Sequence, residues 1–219
     1  MPVLFFFLWA CSPHIIRYPG PLLGLGRDAS VLHTKHHSPL SHDLPTSTLP
    51  SSSLEERIIE AAASFVGKTE LRVDDKTFGY HCSGYVAAAF YKAGIEISGS
   101  TKNLFEEAKT KGFVSTNPQP GSLVFFDNTY DANKNGLFDD PLSHVGIVES
   151  VYPDGRVSLF HLGSKGIVSI TMNLQQPTVH KADDGTLHNS YLRYRSSRDD
   201  AYPRLAGQLW HGFAFWEIP

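Results

Sequence analysis

Apolar positions along this chain recur first at helical and then at strand spacing. In LEERIIEAAASFVG, from Leu54 to Gly67, they fall three and four residues apart, which predicts a helix stopped by Gly67. Ser53 and Glu56 sit just ahead of it in the spacing of a capping box, where hydroxyl and carboxylate satisfy each other's free backbone donors. A second helix is predicted from Cys82 to Lys92, stopped at Gly94, and a third from Ser100 or Thr101 to Gly112. Beyond the turn NPQPG the period changes. SLVFF, SHVGIVESVY, GRVSLFHLG and KGIVSITM are short, β-branched and separated by turn residues, as in an antiparallel meander. Further strands are expected at SYLRYR and HGFAFWEI. Helices first and strands after predict an α+β fold, with the N-terminal helices packed on one antiparallel sheet.

The first 53 residues stand outside this pattern. MPVLFFFLWACSP is an apolar run of signal-peptide type, and its end, Leu8-Trp9-Ala10-Cys11, resembles the lipobox of bacterial lipoproteins. That resemblance implies a lipid on Cys11, export, and attachment to the cell envelope. Residues 12–53 are rich in Pro, Ser and His without periodicity, so they read as a disordered linker. Their cluster of His33, His36, His37, His42 and Asp43 is read as part of that solvated linker rather than as a metal site. Residues 54–219 are then a single domain, a size that supports one buried core. The net charge of −3 and the lack of a basic stripe exclude nucleic acid as a partner. After the first dozen positions no apolar run is long enough for a membrane-spanning helix.

Composition matters most at the cysteines, of which there are two. With Cys11 lipidated, Cys82 has no disulfide partner and stays a free thiol, which in an exported protein asks for a chemical reason. A helix starting at Cys82 aims unpaired backbone N–H groups at the sulfur and favours the thiolate, while the small Ser83-Gly84 pair leaves it approachable. A nucleophilic thiol needs a proton-handling partner. His144 opens an apolar strand, and His161 ends the next one. In an antiparallel hairpin turning at Pro153-Asp154-Gly155 the two become neighbours, one as base and one orienting it. A zinc on Cys82, His144 and His161 lacks an apparent fourth ligand, with His81 expected to point away.

HCSGYVAAAFYKAGI, PGSLVFFDN, SHVGIVESV and LFHLGSKGI, in this order, resemble the blocks of NlpC-type cysteine peptidases, papain-like enzymes that cut the stem peptides of bacterial cell wall. The likeness is clearest over residues 54–171. It implies a papain-like fold with Cys82 as nucleophile, His144 as general base and His161 as the orienting third member. No cofactor is implied. The chain departs from the family at His81, where the family has Asp, at KTELRVDDKTFG ahead of the cysteine, and at Ser122. An acyltransferase or amidase on the same scaffold, or a wall-binding module without catalysis, remain the alternatives.

One insert is left over. In DANKNGLFDD, Asp131, Asn133 and Asn135 alternate, Gly136 follows, and Asp139 takes the ninth place, as in a calcium loop. Leu142 stands at the twelfth place, where a bidentate carboxylate is usual, with Asp140 as a substitute. Two readings stay open: a weak calcium site, and a polar Asn-Gly turn.

Overall fold

The structure is a computed structural model that describes residues 52–193 and 202–216. The apolar start with Cys11, the His-rich stretch up to Ser51, and part of the SYLRYR segment lie outside the described residues.

Helix α1 spans Leu54–Ser64, behind the expected capping box on Ser53 and Glu56. It ends three residues before Gly67, because Phe65 and Val66 already make tighter backbone bonds to Ala62 and Ala63. Gly67, at φ +76°, closes the turn that follows. A short hairpin comes next, β1 (Leu71–Val73) and β2 (Lys76–Phe78), with Asp74 at φ 51° in its turn. This hairpin occupies the stretch that departs from the family, and its three-residue strands are too short to show a period of two. Helix α2 then covers Cys82–Lys92, and α3 covers Thr101–Thr110 behind Ser100, both as expected.

The sheet strands are β3 (Val114–Ser115), β4 (Leu123–Phe126), β5 (His144–Val151), β6 (Arg156–Gly163), β7 (Gly166–Asn173) and β8 (Trp210–Ala214). They form one antiparallel sheet in the order β3-β8-β4-β5-β6-β7. The last strand thus threads back between β3 and β4, preceded by the single-turn helix α4 (Ala206–Leu209). Of the SYLRYR segment, Tyr191 makes only an isolated bridge to Leu205.

Strand β4 shows how the core is divided. Leu123 and Phe125 pack with Ile58, Tyr85, Phe90 and Leu104 of the three helices, whereas Val124 and Phe126 pack with Leu159, Met172, Leu209 and Phe213. Successive side chains of a strand face opposite ways, so the sheet is buried on both faces. The α+β layout is as expected, but the second face is covered by the returning C-terminal chain. The buried Tyr85 hydroxyl donates to the Ala62 carbonyl at 3.2 Å and ties α2 to α1, which fixes the helix that carries the cysteine.

Candidate active site

The start of α2 is built by His81. Its backbone is extended, at φ −151° and ψ 168°, and its Nδ1 accepts from the Gly84 N–H at 3.1 Å and lies 3.1 Å from the Ser83 hydroxyl. Nδ1 accepts the Gly84 N–H through its lone pair. His81 therefore does the work of an N-cap aspartate, and the departure from the family exchanges one capping acceptor for another. Its ring lies against Gly79, Ser83 and Gly84, and the residue is among those that line the cavity at Cys82. Two glycines make the turn possible: a Cβ on Gly84 would run into the Gly79 carbonyl, and one on Gly79 would lie 2.5 Å from His81 Nε2.

Cys82 is the first residue of this helix, half-buried and free. Its Sγ lies 3.9 Å from the hydroxyl of Thr101, the first residue of α3. Among the described residues this is the sulfur's polar contact, and no bond to His144 is formed. Catalytic hydrogen bonds often tighten only once substrate is bound.

The sheet supplies the histidines. His144 begins β5 opposite Phe126, and His161 on β6 stands opposite Gly146. His144 and His161 are therefore diagonal neighbours on one face, close enough for long side chains to meet. They do: His144 Nε2 lies 2.9 Å from His161 Nδ1, with the rings edge to face. Gly163 keeps space for this contact, since a Cβ there would come within 2.8 Å of His161 Cε1. Both histidines are buried. Burial disfavours the imidazolium and pushes His144 down to about 3, with the charge of His161 adding to the effect, and burial pushes His161 down to about 4. At neutral pH both rings are uncharged, and one donates the shared proton to the other.

One cavity of about 450 Å³ is lined by Cys82, His144 and His161 together. Among the described residues no three His, Cys, Asp or Glu side chains are grouped as metal ligands. The calcium-type residues lie in the loop between β4 and β5. The Asp131 carboxylate accepts from the N–H groups of Asn135 and Gly136 at 3.1 and 2.9 Å, and the Asn135 side-chain amide donates to Asp139 at 3.1 Å. Asp140 is buried and accepts from the Ala132 N–H at 2.8 Å, so its carboxylate already serves the loop's own backbone.

Thr101, Tyr130 and Tyr191 are among the further residues that line the cavities around Cys82. Thr101 was visible in the sequence only as a helix start. Tyr130 sits next to the alternating oxygens of the insert, and Tyr191 arrives from the C-terminal chain, whose path no pattern revealed.

Residues 73–161 match the CHAP domain. The match opens in the β1–β2 hairpin and closes on His161, so it includes Cys82 and both histidines. CHAP domains are cysteine- and histidine-dependent amidohydrolases and peptidases, and the resemblance to NlpC-type enzymes read from the motifs is borne out at that level. Among solved structures, the chain is similar to an NLP/P60-family protein from Staphylococcus aureus subsp. aureus Mu50, described as similar to lipoprotein. It is 20% identical with a TM-score of 0.36, over 55% of this chain and 39% of that one. This chain thus spans well under half of that relative. No curated protein matches it.

Proposed function

We propose that this protein is a cysteine peptidase that hydrolyses peptide bonds in the stem peptides of bacterial peptidoglycan. The observation that carries the reading is the convergence of a helix-start cysteine and a buried, hydrogen-bonded histidine pair on one cavity. His144 donates its Nε2–H to His161 Nδ1, which leaves the His144 Nδ1 lone pair as the site that takes the proton of the Cys82 thiol. The sulfur attacks the scissile carbonyl carbon, and the oxygen that gains charge meets the first-turn N–H groups of α2 that His81 does not occupy. His144 then gives its proton to the leaving amine. A water, deprotonated by the same nitrogen, cleaves the thioester and restores the thiol. His161 fixes the ring and accepts from Nε2 while the imidazolium exists.

An amidase that cuts at the sugar–peptide junction is the second reading, because CHAP chemistry includes amidohydrolysis. Incubation with purified cell wall and mass analysis of the fragments separates the two. Shortened stems support the peptidase, whole stems released from glycan support the amidase, exchanged acyl groups reveal a transferase, and intact wall carried down with the protein leaves a binding module. On the same footing, Cys11 carries a lipid that holds the protein at the envelope. Calcium binds weakly at Asp131, Asn133, Asn135 and Asp139: a carboxylate or amide oxygen that accepts one N–H keeps a second lone pair for an ion.

A further inference from the structure

A second cavity, of about 250 Å³, lies on the α3 side of Cys82, between Thr101 and the end of the 127–143 loop. Its lining overlaps that of the first cavity at three residues: His81, Cys82 and Tyr130. His81 and Cys82 come from the start of α2, and Tyr130 from the insert between β4 and β5. The two hollows thus adjoin at the cysteine and at this tyrosine, as lobes of one groove.

The insert is built to hold that tyrosine. Leu142 N–H donates to Asp127 Oδ1 at 2.7 Å, Thr129 N–H to the Ser143 hydroxyl at 2.9 Å, and Asn128 N–H to the Asp140 carbonyl at 2.8 Å. On the other side of Tyr130, Ala132 N–H donates to the Asp140 carboxylate. The backbone is braced on both flanks of Tyr130, while its side chain stays 53% exposed. A large apolar ring left half in water, on a braced loop, at the junction of two hollows, is placed to meet a ligand rather than to fill a core.

We propose that Tyr130 is a further catalytic residue of the peptidase: its ring clamps the scissile segment over Cys82, and its hydroxyl donates a hydrogen bond to the scissile carbonyl oxygen. The proposal rests on the peptidase reading and deepens it. A groove with a lobe on each side of the sulfur takes a peptide that continues in both directions, so the bond cut is internal to the peptide. The hydroxyl stays in its donating form at neutral pH, since burial and the nearby Cys82 and Asp140 push Tyr130 above its ordinary range. Such a donor acts with the free N–H groups of α2, on the same developing charge.

The test uses the full chain with Tyr130→Phe and Tyr130→Ala, and substrates blocked at both ends and extended on one or both sides of the scissile bond. Tyr130→Phe should lower kcat roughly 10- to 100-fold, the loss of one oxyanion donor at the lower end of the usual range, with KM little changed. Tyr130→Ala should also raise KM, and only for substrates extended on both sides. Wild-type kcat in Tyr130→Phe overturns the donor role. A second readout does not depend on turnover: alkylation of Cys82 by small iodoacetamide and by a bulky maleimide. Removing the ring should speed the bulky reagent selectively. An unchanged ratio of the two rates overturns the clamp, even if the wild-type protein cleaves no peptide and the peptidase reading itself has failed.

Discussion

The His144–His161 pair is neutral in the folded protein and basic in the unfolded chain, and this difference is measurable. Free histidine titrates near 6.5, whereas the folded pair is pushed down to about 3 and about 4. Between those limits the unfolded chain binds protons that the folded one does not, so stability must fall as the pH drops from about 6.5 toward 4. Above 6.5 the pair is uncharged in both states and contributes no pH dependence. Each unit of pKa difference is worth about 1.4 kcal/mol, so acidification should cost a few kcal/mol. The melting temperature should decline between pH 7 and 5, before most carboxylates titrate, and His161→Gln should flatten the decline. An equal slope in that variant would sink the assignment. For catalysis, Cys82→Ser should abolish wall-peptide cleavage and leave the melting temperature almost unchanged, because one atom is exchanged. His144→Ala should lower the rate by roughly 10²–10⁴, as expected for loss of a general base. His161→Ala should be milder. If it proves the worse of the two, the roles are reversed.

At the scale of elements, α2 begins at Cys82 and ends at Lys92, as its pattern predicts, although the residue that caps it was not foreseen. The Cys82 helix, the Ser53 cap, the start of α3 at Ser100 or Thr101 and the long strands β5 to β7 were legible because each has a local signal: a capping side chain, a glycine stop or a long β-branched run. The diagonal meeting of His144 and His161 was legible too, since a hairpin's turn fixes its register. The capping by His81 was not, because a histidine rarely takes the N-cap position and its ring conformation leaves no trace in a pattern of apolar positions. His81→Asp should keep the stability of α2, while His81→Ala should cost about 1 kcal/mol, the usual loss of a cap. Gly84→Ala should be harsher, because backbone rather than a mobile side chain stands in the way. The insert gives the element-scale test of calcium. If the oxygens around Asp131 hold the ion at the 10⁻⁴–10⁻³ M expected of a weak extracellular site, about 5 mM calcium should raise the melting temperature, and Asp131→Ala should remove the rise. Identical melting curves in calcium and in chelator would leave a polar turn held by its own hydrogen bonds.

For the whole molecule, the least legible feature was the return of the C-terminal chain, because covering the second face of the sheet is a long-range event. Asn173, His188 and Asn189 are buried polar residues there, held by bonds to one another and to backbone, and such residues look like loop positions in a sequence. Tyr191 enters the groove only because that return brings it there. The other end of the chain poses the question of location. Among the described residues no helix is long and apolar enough to cross a membrane. The apolar start ending at Cys11 is the segment whose chemistry suits attachment. One acyl chain binds membranes only marginally, whereas two anchor stably, so a diacylated Cys11 is expected to hold the protein where its wall substrate lies. Full-length protein made in bacteria should therefore partition into detergent, and a chain beginning at Ser53 should stay in the aqueous phase. A Cys11→Ser variant that still enters the detergent phase would assign the partition to the apolar run, not the lipid. Full-length protein recovered from the aqueous phase with Met1 intact would exclude both processing and anchoring.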